Sequence, residues 1–248
     1  INLKMKKMKK TTLFFLLLII CIFNEKAFAQ CSNDFFINNK KMMNEAVLKA
    51  DVQLLDLVKS NYEKLLFSDE CKKENIKYYL AYTLLNRALC NFKNKDQLNK
   101  NYVDEASNYL KNIIKSDDLN QEAHILYAYV NMLKYKFHPY TEFTEIGNNI
   151  EQSLNKSKDI NPLNPRYLYV KGMEMFNAPS AYGGNKLKAK EMFIKSISEY
   201  KKTKCYKEPN SISPCWGFVD ANRWLGNYYS FQKKYQEAEN YYNIAIEH

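Results

Sequence analysis

The stretch ANRWLGNYYSFQKKYQEAENYYNIAIEH (residues 221–248) carries small and aromatic side chains at regular intervals. Six positions form the pattern: Leu225, Gly226, Tyr229, Ala238, Tyr242 and Ala245. Small residues at helical spacing let two helices approach closely, and the aromatic rings fill the ridges between them. The stretch therefore predicts a packed helix pair, in which Gly226 and Ala238 are structural contact points.

These six residues also fill the signature positions of a 34-residue helix-turn-helix unit, so the stretch resembles a tetratricopeptide repeat. Counting back from Pro162 and Pro165 gives a preceding unit, with Gly172 and Ala189 at its small positions. Two earlier units place Ala128 and Ala81 there. The resemblance covers roughly residues 74–248. It implies an all-α fold, an α-solenoid of about four irregular repeats.

The repeats differ mainly in the turn between their two helices. NAPSAYGGN (residues 177–185) and YKFHPYTEF (residues 135–143) are insertions at that point in two successive units. Before the array, residues 30–73 contain a helical periodicity that predicts a capping helix or helix pair, which an open array needs.

The first residues predict an export signal. MKKMKK (residues 5–10) precedes an eleven-residue apolar run, LFFLLLIICIF, and Ala27 and Ala29 form an A-x-A cleavage site. We therefore expect residues 1–29 to be a signal peptide with upstream residues, cleaved after Ala29, and the mature chain to be secreted or periplasmic, with no stable membrane span. An uncleaved anchor and a lipoprotein at Cys31 are the alternatives, and Gln30 argues against the second.

The net charge and the cysteine count bear on the possible partners and on disulfide bonds. The chain has a formal net charge of +10; residues 1–29 hold six of the 37 basic and one of the 27 acidic residues, which leaves 31 − 26 = +5 without a basic stripe. A nucleic-acid partner is therefore not expected. Five cysteines follow the signal, an odd number, so either one thiol is free or the signal-peptide prediction needs revision. Turn residues between Cys205 and Cys215 favour a disulfide there.

No pattern of catalytic or metal-binding residues stands out. His124, His138 and His248 have no partner at a motif spacing, and the cysteines form no CxxC. The paired acids Asp104–Glu105 and Glu142–Glu145 lie on lysine-rich helices and are interpreted as solvated. YGGN (residues 182–185) lacks a phosphate-loop spacing, so it is interpreted as a turn. The sequence predicts neither an enzyme nor a cofactor.

A candidate binding row lies on the first helices of the repeats, which line the inner groove of a tetratricopeptide array. It consists of Tyr78, Tyr82, Tyr129, Arg166, Tyr169, Arg223 and Asn227. Tyrosine and arginine are favoured at interfaces. The alternative is that these residues pack on their neighbours or that inserted turns fill the groove. Trp216 is expected to plug the join between the third and fourth repeats.

A narrower resemblance is carried by three phrases, at residues 78–89, 159–197 and 207–217. They are similar to exported tetratricopeptide proteins of Bacteroidetes. Residues 178–193 also resemble a loop and helix of the T components of TRAP transporters, which implies a transport accessory. Two functions follow as hypotheses: a scaffold that binds a protein or peptide through its concave face, or a small-molecule carrier with a pocket roofed near His138 and Tyr182.

Overall fold

The computed structural model describes residues 33–67, 72–90, 97–203 and 213–247, and within these ranges the chain forms ten α-helices and no strand. The helices are α1 (Asn33–Lys49), α2 (Val52–Leu66), α3 (Lys73–Cys90), α4 (Gln97–Ser116), α5 (Gln121–Phe137), α6 (Phe143–Ile160), α7 (Pro165–Asn177), α8 (Lys186–Tyr200), α9 (Phe218–Phe231) and α10 (Tyr235–Glu247). Two 3₁₀ turns, Tyr140–Glu142 and Ser180–Tyr182, precede α6 and α8.

The helices pack in consecutive pairs. α3 packs on α4, α5 on α6, α7 on α8 and α9 on α10, while α1 and α2 precede the four pairs. Neighbouring pairs also pack on each other: α4 contacts α5, α5 contacts α7, and α8 contacts α9. The predicted all-α architecture of about four irregular repeats is confirmed.

Burial follows position in the stack. α3 and α5 are buried on almost every side, because α3 lies among α2, α4 and the second repeat, and α5 lies among α6 and the repeats on either side. In α10, at the end of the described stack, Ala238 is the one residue of the helix that is buried.

The small residues lie where helices cross. A methyl group added at Gly172 would come within 2.7 Å of Cε1 of Phe193, and one added at Gly226 would collide with the ring of Tyr242. Ala189 and Ala238 are buried on the facing helices. These contacts account for a glycine on the first helix and an alanine on the second.

Asparagine residues begin several helices. The side chain of Asn164 accepts hydrogen bonds from the backbone N–H groups of Arg166 and Tyr167, with Pro165 in the first helical turn. Asn120 and Asn185 cap α5 and α8 in the same way. Each cap satisfies backbone donors that the helix itself leaves unpaired.

The two enlarged turns follow the same path. After α5 and α7, one extended residue leads into Pro139 or Pro179, and a 3₁₀ turn then leads to the second helix. In the second turn Gly183 has φ 86°, and Gly184 lies so close to the carbonyl of Ala178 that a side chain would collide with it. The two glycines are thus required by the backbone of the turn.

Among the described residues, no helix combines the length and the apolar character needed to cross a membrane.

Candidate functional site

A short segment of the chain crosses the face formed by the first helices of the repeats. This fold-back segment, residues 213–217, directly precedes α9 in the fourth repeat, yet it reaches the first repeat. The indole Nε1 of Trp216 donates a hydrogen bond of 2.8 Å to the hydroxyl of Tyr78, 138 positions earlier in the sequence. The rings of Trp216 and Tyr82 are stacked, with centroids 5.4 Å apart and an interplanar angle of 24°.

Tyrosines from three successive repeats surround this indole. The ring centroids of Tyr129 and Tyr169 both lie 6.1 Å from that of Trp216, and the two tyrosine rings meet edge to face at 5.9 Å. We define the aromatic cluster as Tyr78, Tyr82, Tyr129, Tyr169 and Trp216. Because α3, α5 and α7 each contribute to it, the cluster lies on the face that is concave in a stack of helix pairs.

The aromatic cluster is closed to solvent. All five residues are buried, and the most exposed of them, Tyr82, retains 9% of its surface. Burial raises the pKa of Tyr129 to about 12 and that of Tyr169 well above its ordinary value. These hydroxyl groups therefore stay neutral near physiological pH.

Trp216 is a buried structural residue, but its ring contacts do not lie at the join between the third and fourth repeats, where they were predicted. Its side chain packs on the first three repeats instead. The reason is the position of residues 213–217, which lie against α3, α5 and α7 before α9 begins. Gly217, with φ 107°, reverses the backbone there, and Tyr200 donates a hydrogen bond to the carbonyl of Cys215.

Arg166 is held in a buried ion pair with Glu122. Its Nε and one terminal nitrogen donate to the two carboxylate oxygens, both at 2.6 Å, and Asn164 donates to the same carboxylate at 2.7 Å. Burial alone would lower the pKa of Arg166, but attraction to Glu122 outweighs it and raises the pKa. Arg166 thus ties the second repeat to the third.

Lys40 attaches the fold-back segment to the N-terminal helices. Its ammonium donates a hydrogen bond of 3.1 Å to the carbonyl of Ser213. Burial, with repulsion from Arg166 as a smaller contribution, lowers the pKa of Lys40 to about 8. Lys40, Glu122, Ser213 and Tyr200 were not among the predicted residues, because none belongs to a recognisable motif.

The remaining predicted residues lie on α9. Arg223 forms an ion pair of 3.0 Å with Asp220, and about half of its side chain is exposed. Asn227 accepts a hydrogen bond of 2.8 Å from the hydroxyl of Tyr242. The structure thus gathers the four predicted tyrosines and Arg166 under the fold-back segment, and leaves Arg223 exposed beside them.

The cysteines are only partly described. Cys215 is disulfide-bonded, and Cys90 is free. Cys205, the predicted partner of Cys215, lies outside the described residues, so the Cys205–Cys215 pair stays a prediction. The predicted signal peptide, residues 1–29, lies outside them as well.

The histidines are engaged in local contacts. The two ring nitrogens of His138 lie 2.9 Å from Asp104 and 2.7 Å from Glu142, so the two carboxylates face opposite sides of the ring and do not converge on one point. Burial lowers the pKa of His124, whose Nε2 lies 3.1 Å from the carbonyl of Asp118. In the described part of the chain, no group of three or more histidine, cysteine, aspartate or glutamate side chains is arranged to hold a metal ion.

Comparisons with known proteins show that this chain has a fold similar to that of a solved helical structure. No protein-family model matches the sequence, and no curated protein does. Among solved structures, the HusA haemophore from Porphyromonas gingivalis is 22% identical, covers 77% of this chain and 93% of its own, and superposes with a TM-score of 0.59. MamA is 19% identical over 83% of this chain and 92% of its own, with a TM-score of 0.37.

Proposed function

We propose that this chain is a non-catalytic carrier of the cell envelope that binds a flat aromatic ligand, with haem as the first candidate. The observation that carries the proposal is the indole of Trp216 held among four tyrosines from three repeats. A site that stacks one flat ring has the shape and the chemistry to stack another. The likeness of fold to a haemophore supports haem as the first ligand to test.

In this proposal the ligand takes the place of Trp216. The fold-back segment lifts away from α3, α5 and α7, and the ligand ring then stacks on Tyr82. Lys40 and Arg223 lie beside the cluster and supply positive charge for ligand carboxylates. The roof of the site is thus the fold-back segment rather than the inserted turns near His138 and Tyr182.

The test is a titration of the mature chain, beginning at Gln30, with haem and with metal-free protoporphyrin. Stacking predicts that both change their absorbance on binding, with dissociation constants within about threefold of each other, because aromatic stacking does not need the iron. Binding of haem alone would indicate ligation of the iron by a side chain. If neither porphyrin binds, the carrier proposal fails.

A matched pair of variants locates the site. Trp216→Leu removes the indole that the ligand must displace, so we expect affinity to rise by about tenfold or more, corresponding to 1.4 kcal/mol. Trp224→Leu makes the same change on α9, where Trp224 stacks on Phe193 outside the aromatic cluster. Equal affinities in the two variants would place the ligand elsewhere.

A second candidate is a scaffold that binds a protein or peptide at the same face. It is favoured by the fold-back segment itself, an extended peptide held there through one aromatic anchor and through a carbonyl bonded to Lys40. A partner with a similar segment could replace it. Crosslinking from the native cell envelope, with wild-type and Trp216→Leu baits, tests this candidate. A protein enriched by the variant supports the scaffold, and recovery of the same proteins by both baits contradicts it.

A further inference from the structure

A second aromatic surface lies at the edge of the array, on the turns inside the third and fourth repeats. We call it the turn surface, and it consists of Tyr182, Lys186, Leu187, Phe231, Lys233, Lys234 and Tyr235. Tyr182 keeps 83% of its surface exposed, Tyr235 67% and Phe231 61%. The cores of the repeats therefore do not use these rings.

The two turns form one continuous surface. The ammonium of Lys186 lies 5.4 Å from the ring centroid of Phe176, at the end of α7, and 5.1 Å from that of Phe231, at the end of α9. Lys190 lies 5.7 Å from the ring centroid of Tyr228. These cation–π contacts hold the third and fourth repeats together where the turns project.

Charge is one-sided on the turn surface. Residues 177–190 and 228–236 contain five lysines and no aspartate or glutamate. The nearest carboxylates in sequence, Glu191 and Glu237, follow on α8 and α10. At the opposite edge, the turn after α4 carries Asp117 and Asp118 beside an exposed leucine, Leu119. Both places therefore carry exposed apolar side chains, but acidic residues accompany Leu119 whereas lysines accompany the rings of the turn surface.

We propose that the turn surface docks on an anionic lipid bilayer. Tyrosine and phenylalanine favour the boundary between lipid and water, and lysines are attracted to anionic headgroups. The rings project from turn tips, a geometry suited to a headgroup layer, whereas a bound peptide needs a groove. Binding is peripheral and does not depend on the proposed carrier function.

The experiment is co-sedimentation of the mature chain with two kinds of vesicle. One kind is phosphatidylcholine alone, and the other is an equal mixture with phosphatidylglycerol. We expect sedimentation with the mixed vesicles, at least about tenfold weaker partitioning on the neutral ones, and loss of binding in high salt. Absence of binding to the mixed vesicles overturns the proposal.

Variants distinguish the turn surface from other surfaces. The double variants Tyr182→Ser/Phe231→Ser and Lys233→Glu/Lys234→Glu are each expected to lower partitioning by about tenfold or more, because they remove apolar contact or reverse charge. Leu119→Ser, at the opposite edge, is the matched control and should bind like the wild type. A similar loss in the control contradicts the assignment.

Two further readouts complete the test. Thermal unfolding of each variant separates loss of binding from loss of folding. Porphyrin titration separates membrane docking from the carrier function, because the turn-surface variants should bind porphyrin like the wild type. Binding to poly-glutamate but not to mixed vesicles would indicate an acidic protein partner and would overturn the membrane assignment.

Discussion

The aromatic cluster and the turn surface contain the same kinds of residue in opposite environments. Several aromatic rings lie close together in each, and basic side chains lie beside the cluster and within the turn surface. In the cluster the rings are buried beneath the fold-back segment, whereas on the turn surface they are exposed. Tyrosine-rich positions in a repeat array are therefore not binding surfaces by composition alone, because residues 213–217 cover the rings of the cluster while those of the turn surface stay exposed.

The largest loss of stability should come from breaking the ion pair between Arg166 and Glu122, which lies beside the cluster. Arg166→Ala leaves the carboxylate of Glu122 partly buried without its partner, so we expect the free energy of unfolding to fall by about 3–5 kcal/mol in denaturant titration. The control is Arg223→Ala, which breaks a half-exposed pair with Asp220 and should cost less than about 1 kcal/mol. Equal losses of stability in the two variants would show that the ion pair of Arg166 does not hold the second and third repeats together.

Arg166 and Tyr129 are both buried, so neither can be replaced without disturbing the packing of the repeats. A variant that combines Tyr129→Ala with Arg166→Ala would remove a buried ring and a buried ion pair together. It would therefore report on folding rather than on an open groove.

The next largest loss of stability is expected in the fold-back segment. Trp216→Leu removes the ring that stacks on Tyr82 and the donor to Tyr78, so we expect the free energy of unfolding to fall by about 2–4 kcal/mol. Phe231→Leu makes a comparable change on the turn surface and should alter stability by less than about 0.5 kcal/mol. If both variants unfold like the wild type, the fold-back segment contributes little to the stability of the array.

A smaller effect is expected from Lys40, and it depends on pH. Its pKa of about 8 in the folded chain lies below the unfolded value of about 10.5. Between these values the unfolded state binds more protons, so the free energy of unfolding should rise with pH, by at most about 1.4 kcal/mol per unit.

The comparison with Lys40→Met isolates this contribution. Denaturant unfolding at pH 7.5, 8.5 and 9.5 should show the wild type gaining stability relative to the variant. The buried tyrosines cancel, because both proteins contain them. A difference that stays flat or falls with pH would contradict a depressed lysine pKa.

The smallest change in stability is expected on the turn surface. Tyr182→Ser and Tyr235→Ser should each change the free energy of unfolding by less than about 0.5 kcal/mol, since both rings are mostly exposed. Thermal unfolding followed by circular dichroism measures this. A loss above about 1 kcal/mol would mean that these rings are packed in solution and are not available to a membrane.

The sequence predicted the repeats better than the site. Gly172 and Ala189 pack locally, within one helix pair, so their spacing carries the signal. The contact between Tyr78 and Trp216 spans 138 positions and follows no period. The tyrosines of the cluster were identified by their repeat positions, but their burial was left open between an exposed groove and a filled one.

Sequence alone determined the all-α repeat architecture, because helix pairs bury their contacts at fixed spacings and the spacing is visible in residues 221–248. It also predicted the enlarged turns, which interrupt that period. Only the tertiary structure decided what covers the inner face. The path of residues 213–217 depends on contacts with Lys40, Tyr78 and Tyr82, which are distant in sequence, and such contacts leave no local pattern.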